Sequence, residues 1–309
     1  MSPAAGKRPV DLSVSLAGIR LKNPVIAASG TFGYGTEYDG LAAEFGAVIT
    51  KTVTLASRPG NAPPRLCETA SGMLNSIGLA NVGIDAFISG KLPALAGLDT
   101  AVIANIAGDR TDEYAALARR LDSAPGIAAL EVNISCPNVN QGGSAFGADP
   151  AAAAAVTAAV RRVTGLPLIV KLTPNVSDII PVARAVEAAG ADALSLINTL
   201  FGMRIDIERR RPALGGVTGG LSGPAILPVA LYHVHRAARA VSIPVIGLGG
   251  ISSACDAIEF MLAGAAAVQI GTATFVEPGT VRAVTAGLEA YCLRHGLARA
   301  SSITGRLLA

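Results

Sequence analysis

Pro167–Thr199 reads PLIVKLTPNVSDIIPVARAVEAAGADALSLINT, and the fold turns on how this stretch is read. An apolar run, PLIVKLTP, gives way to an Ala-rich segment with helical spacing, VSDIIPVARAVEAAG, and then to a second apolar run, ALSLINT. Short continuous apolar runs suit parallel strands buried on both faces, so the stretch predicts a strand–helix–strand unit. Gly190 is expected just past the helix, at the C′ position where a left-handed backbone is wanted. The alternation extends in both directions. Further strand-like runs are PVIAASG (from Pro24), AVITKT (Ala47), AVIANIAG (Ala101), ALEVNISC (Ala129), PVIGLGG (Pro244) and AVQIGTA (Ala267). Other helix candidates are PAAAAAVTAAVRRV and TDEYAALARRLDS, the latter with Thr111 as expected N-cap before Asp112 and Glu113. Eight alternations over about 280 residues fit a (β/α)8 TIM barrel better than a doubly wound sheet. The opening DLSVSLAGIRLKN alternates with period two around Ala17-Gly18, which predicts an N-terminal hairpin capping the bottom of the barrel. With no linker or composition break, residues 1–309 read as a single domain.

Composition narrows the function classes. Of the 309 residues, 51% are hydrophobic, 15% charged and 4% aromatic. A soluble domain usually has about a quarter charged residues, so this chain is poor in them. The mean hydropathy of +0.49 invites a membrane reading, which the arrangement opposes. The longest uncharged stretch, Pro212 to Tyr232, is broken by Gly215, Gly216, Gly219, Gly220, Gly223, Pro224 and Pro228. A spanning helix needs about 20 mainly apolar residues. The N-terminal MSPAAGKRPVDL lacks the apolar core of a signal peptide, so a cytoplasmic protein that meets no membrane is expected.

The net charge is +3, and basic residues are scattered apart from Arg209-Arg210-Arg211. No aromatic residues are interleaved with them, so no nucleic acid is expected and the triplet reads as a solvated loop. Cys67, Cys136, Cys255 and Cys292 lie far apart with no C-x-x-C spacing. They make neither a metal-cluster motif nor a disulfide framework, and all but Cys136 read as small buried hydrophobes. His233 and His235 diverge as i,i+2 positions of a helix, which reads as a surface helix, and no metal is expected.

Polar residues gather at the C-terminal ends of the apolar runs: Ser29, Lys51 and Thr52, Asn105, Asn133 and Cys136, Lys171, Asn198 and Thr199. An ammonium or amide at the end of a buried strand costs desolvation unless a ligand or partner satisfies it. In barrel enzymes the catalytic groups come from that end of several strands. The last two strands end instead in Gly249-Gly250 and Gly271-Thr272, where bare backbone N–H groups can meet a phosphate. Two connections on this face are overlong, Val53 to Asp99 and Leu200 to Gly223, and long loops there tend to be functional.

Several longer segments carry a family resemblance: GMLNSIGLANVG (Gly72–Gly83), EVNISCPNVNQGG (Glu131–Gly143), VKLTPN (Val170–Asn175), LINTLFGMRID (Leu196–Asp206), TGGLSGPA (Thr218–Ala225) and VIGLGGISSACDAIEFMLAGAAAVQIGTA (Val245–Ala273). On these the chain resembles class 1 dihydroorotate dehydrogenases, most of all the class 1B, NAD-linked catalytic subunit. The resemblance implies FMN, with its phosphate on Gly249, Gly250, Gly271 and Thr272 beside Gly223. It places Ser29, Lys51, Thr52, Asn105, Asn133, Lys171 and Ile197 along the flavin. Lys51, Asn75, Ser76, Ile77, Gly78, Leu79, Asn133, Asn198 and Thr199 would hold dihydroorotate. Asn75 and Asn198 are read as lying just past strands two and six. Cys136 would be the catalytic base, since class 1 uses cysteine where the membrane-associated class 2 uses serine. The following Asn138–Gly147 is polar and Gly-rich, as a lid should be. The resemblance further implies a partner subunit carrying FAD and [2Fe–2S], around a homodimer core within a heterotetramer. Fumarate as acceptor in a class 1A homodimer is the nearest alternative. On residues alone, an aldolase or lyase using Lys171 or Lys51 as a Schiff base stays open, as does a non-catalytic flavin-storage barrel.

Overall fold

The computed structural model describes residues 9–38, 40–135 and 143–308. Eight parallel strands close into a barrel in chain order: β1 (Val25–Ala27), β2 (Ala47–Ile49), β3 (Ala101–Ile106), β4 (Ala129–Asn133), β5 (Leu168–Lys171), β6 (Ala193–Leu196), β7 (Val245–Leu248) and β8 (Ala267–Ile270). Each of the eight apolar runs supplies one of them. Around them lie α1 (Thr111–Asp122), α2 (Pro150–Arg161), α3 (Ile180–Ala188), α4 (Leu227–Ala238), α5 (Ala254–Leu262) and α6 (Thr280–Arg294).

The runs are continuously apolar because both faces of each strand are covered. Outward residues such as Leu130 and Val132 belong to the same core as Leu117 and Leu121 of α1. Inward residues form a second cluster with one or more members from every barrel strand: Ile26, Ala47, Ile49, Ile103, Ala129, Ile169, Ala193, Ile246 and Ala267. Val14, Leu16 and Leu21 complete that cluster from below. They come from the antiparallel pair Val14–Leu16 and Ile19–Leu21, so the expected hairpin does plug the bottom. Leu16 and Leu21 are fully buried, which stabilises by about 1.5–3 kcal/mol each.

Helix ends follow local chemistry with two departures. Gly190 has φ +101, its N–H reaches Glu187 O, and the Ala191 N–H reaches Val186 O, the bonding of a Schellman end as expected. Thr111, expected as an N-cap, is instead the first helical residue of α1. No side chain caps α1; Glu113 in its first turn instead reaches back to accept the N–H of Asp109, before the helix, at 2.7 Å. Likewise α3 starts at Ile180, later than the apolar spacing suggests, because Asp178 accepts the Ile180 N–H and Pro181 sits in the first turn.

The larger departure concerns the overlong connections, which are not loops alone. Leu66–Thr69 and Gly72–Asn75 from the first, with Leu200–Gly202 and Gly219–Ser222 from the second, form one four-stranded antiparallel sheet. Arg211 pairs with Asp206 in a small separate ribbon, and Arg209, Arg210 and Arg211 are exposed there as expected. Among the described residues, no helix is long and apolar enough to cross a membrane.

Candidate active site

Two residues on from the apolar inner layer, the same inward faces turn polar. Ile49, Ile103, Ala129, Ile169, Ala193 and Ala267 are followed at that spacing by Lys51, Asn105, Glu131, Lys171, Ser195 and Gln269. Glu131 is the hub of this layer and is fully buried. Asn105 Nδ2 donates to its Oε2 at 2.6 Å, while Ser195 Oγ and Gln269 Nε2 donate to its Oε1 at 2.8 and 3.0 Å. Lys171 Nζ stands 3.9 Å from Oε2, an ion pair too long to be a hydrogen bond. With their amide N–H2 groups given to Glu131, Asn105 Oδ1 and Gln269 Oε1 are buried without a partner among the described residues. Buried acceptors left unmade cost about 1–3 kcal/mol each, which marks them as ligand-facing candidates.

Next to this layer lies a cavity of about 980 Å³. Its lining falls into two groups by strand of origin. Lys51 after β2, Asn133 at the end of β4, Lys171 of β5, and Asn198 and Thr199 after β6 bring amides, hydroxyl and ammonium. Gly249 and Gly250 after β7, and Gly271 and Thr272 after β8, bring backbone, with Gly223 beside them. Ser29, Thr52, Ile77, Gly78, Leu79 and Ile197 also line it. The amides are held by their neighbours. Asn133 Oδ1 accepts from the Ser135 N–H and Oγ at 3.1 and 2.9 Å, so its remaining capacity is as a donor. Asn198 Nδ2 donates to Ser135 Oγ at 2.8 Å, and its Oδ1 accepts the Thr199 N–H at 2.8 Å.

The added sheet explains how Asn75 arrives. It lies in the sheet rather than just past a barrel strand, paired with Gly220, and its Nδ2 donates to Gly220 O at 3.2 Å. That contact joins segments 145 residues apart and brings Asn75 close to Thr199. The wall then turns through Gly78 and Leu79, both left-handed at φ +67 and +56. A leucine there carries about 1–3 kcal/mol of backbone strain, the kind kept where a wall must be shaped. Asn81 Nδ2 holds the Leu79 carbonyl at 2.7 Å.

Not every expected site residue lines the cavity. Ser76 is buried behind the wall, where its Oγ accepts from Asn61 Nδ2 at 3.0 Å. Asn105 is likewise absent from the lining and acts through Glu131. Cys136, and Asn138 to Gly142 of the expected lid, lie outside the described residues. Gly249 and Gly250 have φ +128 and +83, and a Cβ on them would fall 2.6 Å from Ala230 Cβ and 2.7 Å from Leu227 Cβ. Glycine is therefore demanded there by the close approach to α4 and the preceding turn, whatever ligand their N–H groups face.

Other residues differ from their sequence reading. Cys67 is half-buried and lines the cavity, and Cys255 is exposed; only Cys292 is a buried hydrophobe, its thiol pushed up by burial. His233 is buried rather than on the surface, because it shares the inner stripe of α4 with Ala230, Val234 and Ala237. Among the described residues no group of three or more His, Cys, Asp or Glu could hold a metal. Glu131, Ser195 and Gln269 were missed as site residues. Their signal was available: a polar residue two positions on from an apolar inward one, inside a run that is otherwise apolar.

Known proteins resemble this chain over nearly its whole length. The family model for dihydroorotate dehydrogenase matches residues 11–292. A protein of Pelobacter propionicus is 56% identical over 299 residues, covering 96% of this chain and 98% of its own. One of Trichlorobacter lovleyi is 58% identical over 298 residues, covering 96% and 98%. One of Geobacter metallireducens is 55% identical over 303 residues, covering 97% and 99%. All three are named dihydroorotate dehydrogenase B (NAD(+)), catalytic subunit.

Proposed function

Because the chain belongs to the dihydroorotate dehydrogenase family, we propose that it oxidises (S)-dihydroorotate to orotate in the cytoplasm, as the FMN-binding subunit of an NAD-linked enzyme. The observation that carries this reading is the two-part lining of one cavity, backbone from glycines on one group of strands and amides with lysines on the other. FMN fits the residues present. Its phosphate suits the N–H groups of Gly249, Gly250 and Gly271, and its ring N–H suits the unpartnered acceptor Gln269 Oε1, which lines the cavity. When bound, the flavin supplies a hydride acceptor.

The chain's own residues do the rest. Lys171, buried within the polar layer, is the cation for the pyrimidine side of the ring. Dihydroorotate presents a carboxylate and a ring of amide donors and acceptors. Lys51 balances the carboxylate, and Asn75, Asn133, Asn198 and Thr199 match the amides, with Ile77, Gly78 and Leu79 closing the wall around them. Forming the new double bond removes one proton from the carbon beside the carbonyl, together with a hydride from its neighbour. Cys136 takes that proton as thiolate. A free thiol titrates at about 8.5, so flavin reduction should quicken as pH rises towards that value. We place the onward route to NAD in a partner subunit carrying FAD and [2Fe–2S], consistent with the relatives' naming as catalytic subunits.

The test is anaerobic mixing of FMN-loaded protein with dihydroorotate. The yellow absorbance should bleach, and Cys136→Ala should bleach about 10²–10⁴-fold more slowly with FMN content unchanged. A yellow protein that dihydroorotate leaves yellow would overturn the reading.

A further inference from the structure

Glu131 has no role in the chemistry above, yet three hydrogen bonds and an ion pair meet on it inside the barrel. Three donors and one cation converge on one fully buried carboxylate: the amides of Asn105 and Gln269, the hydroxyl of Ser195 and, as an ion pair, the ammonium of Lys171. A carboxylate is an acceptor at both oxygens, so each amide must turn its N–H2 towards it. The consequence lies on the far side of those amides. Each is left with its carbonyl oxygen pointing away, buried and unpartnered among the described residues.

We propose that Glu131 is a positioning residue that sets the hydrogen-bonding polarity of the flavin site, by holding Gln269, which lines the cavity, as an acceptor and Lys171 as the neighbouring cation, with Asn105 bracing the other carboxylate oxygen. The inference rests on the FMN reading above. The pyrimidine edge of a flavin offers one ring N–H between two carbonyls, a pattern that needs an acceptor flanked by a donor. Asn and Gln alone do not specify this, since an amide turned over presents N–H2 instead. Glu131 removes that freedom, because a turned amide would set carbonyl oxygen against carboxylate. Its charge has a second effect. An anion 3.9 Å from Lys171 offsets part of the field that the ammonium exerts on the ring.

The two effects make separable expectations for Glu131→Gln. Glutamine presents one acceptor and one donor; Lys171 keeps the oxygen on the Oε2 side, so the N–H2 falls against Gln269, which must turn over. Apoprotein binding, read by quenching of flavin fluorescence, should then lose selectivity for FMN over N3-methyl-FMN. Wild type should prefer FMN by about tenfold or more, the effect of one buried unmatched polar group, and the variant by much less. The flavin midpoint potential should move up in Glu131→Gln, because Lys171 acts unopposed, and down in Lys171→Met. A part played only in packing would move neither with opposite sign. Glu131→Asp keeps the anion and should hold the potential near wild type. If Glu131→Gln does not fold, Gln269→Leu serves for the binding arm and should also lose the preference. Unchanged selectivity in these variants, or a potential that falls in Glu131→Gln, would overturn the proposal. Failure of wild-type apoprotein to bind FMN at all would instead overturn the FMN reading beneath it.

Discussion

His233 shows how a single residue couples the barrel to pH. It is buried on the inner stripe of α4, and its Nδ1 has no hydrogen-bond partner among the described residues. Burial pushes its ionisation below the ordinary 6.5, and the Arg236 guanidinium adds to that, while Asp178 opposes it. The unfolded chain therefore binds a proton that the folded chain resists, in the window from 6.5 down to the folded value. Stability is full above about 6.5 and falls as pH drops through that window. Urea unfolding at pH 7.5 and 5.5 should show a loss that His233→Gln reduces; equal losses in both proteins would remove His233 from the acid response. The same residue shows what was legible. The divergence of His233 and His235 as i,i+2 positions argued against a metal pair, but burial depends on which stripe faces the barrel, and a three-residue view does not show that. Glu131 is the companion case. Attention to strand ends found Lys51, Asn133 and Lys171, whereas the period-two inward face, followed one step deeper, leads to Glu131, Ser195 and Gln269.

At the scale of elements, the barrel was readable because each strand announces itself locally, as a short apolar run buried on both faces. The four-stranded sheet over the site was not. Gly72–Asn75 and Gly219–Ser222 are short and glycine-rich, and their partners lie far away in the chain, so nothing local marks them as strands. Glycine is there for closeness: a Cβ on Gly220 would sit 2.1 Å from Thr199 Oγ1 and 3.4 Å from Asn75 Nδ2. Valine at this position suits a strand but forces both side chains away. Gly220→Val should therefore keep its FMN and raise the KM for dihydroorotate about ten- to a hundredfold, the worth of one or two displaced hydrogen bonds. An unchanged KM with full flavin content would mean that the sheet does not position Asn75 and Thr199 for the substrate.

On the scale of the whole molecule, the question is where electrons leave. A nicotinamide site would ordinarily need a strand, then G-x-G-x-x-G opening a helix, with an acidic residue about 20 positions on. GTFGYG at Gly30–Gly35 and GLGG at Gly247–Gly250 have other spacings. Every parallel-paired strand among the described residues is consumed in closing the barrel, which leaves no second open sheet with a crevice for a dinucleotide. The cysteines offer no alternative carrier, since Cys67, Cys255 and Cys292 occupy unrelated environments and no metal-holding group exists among the described residues. On the proposed reading transfer crosses the surface near the cavity, whose rim exposes apolar side chains: Leu66, Phe275 and Val276 line the cavity and are 52%, 49% and 85% exposed, with Glu68 and Glu277 beside them. Such a rim suits a protein partner better than it suits solvent. The FMN-loaded chain alone should therefore reduce an artificial dye with dihydroorotate yet form no NADH, and adding the FAD and [2Fe–2S] partner should restore NADH formation. Steady NADH production by the single purified polypeptide would refute this. Rapid turnover with fumarate would instead place the chain with the class 1A enzymes, whose acceptor comes to the barrel directly and needs no second subunit.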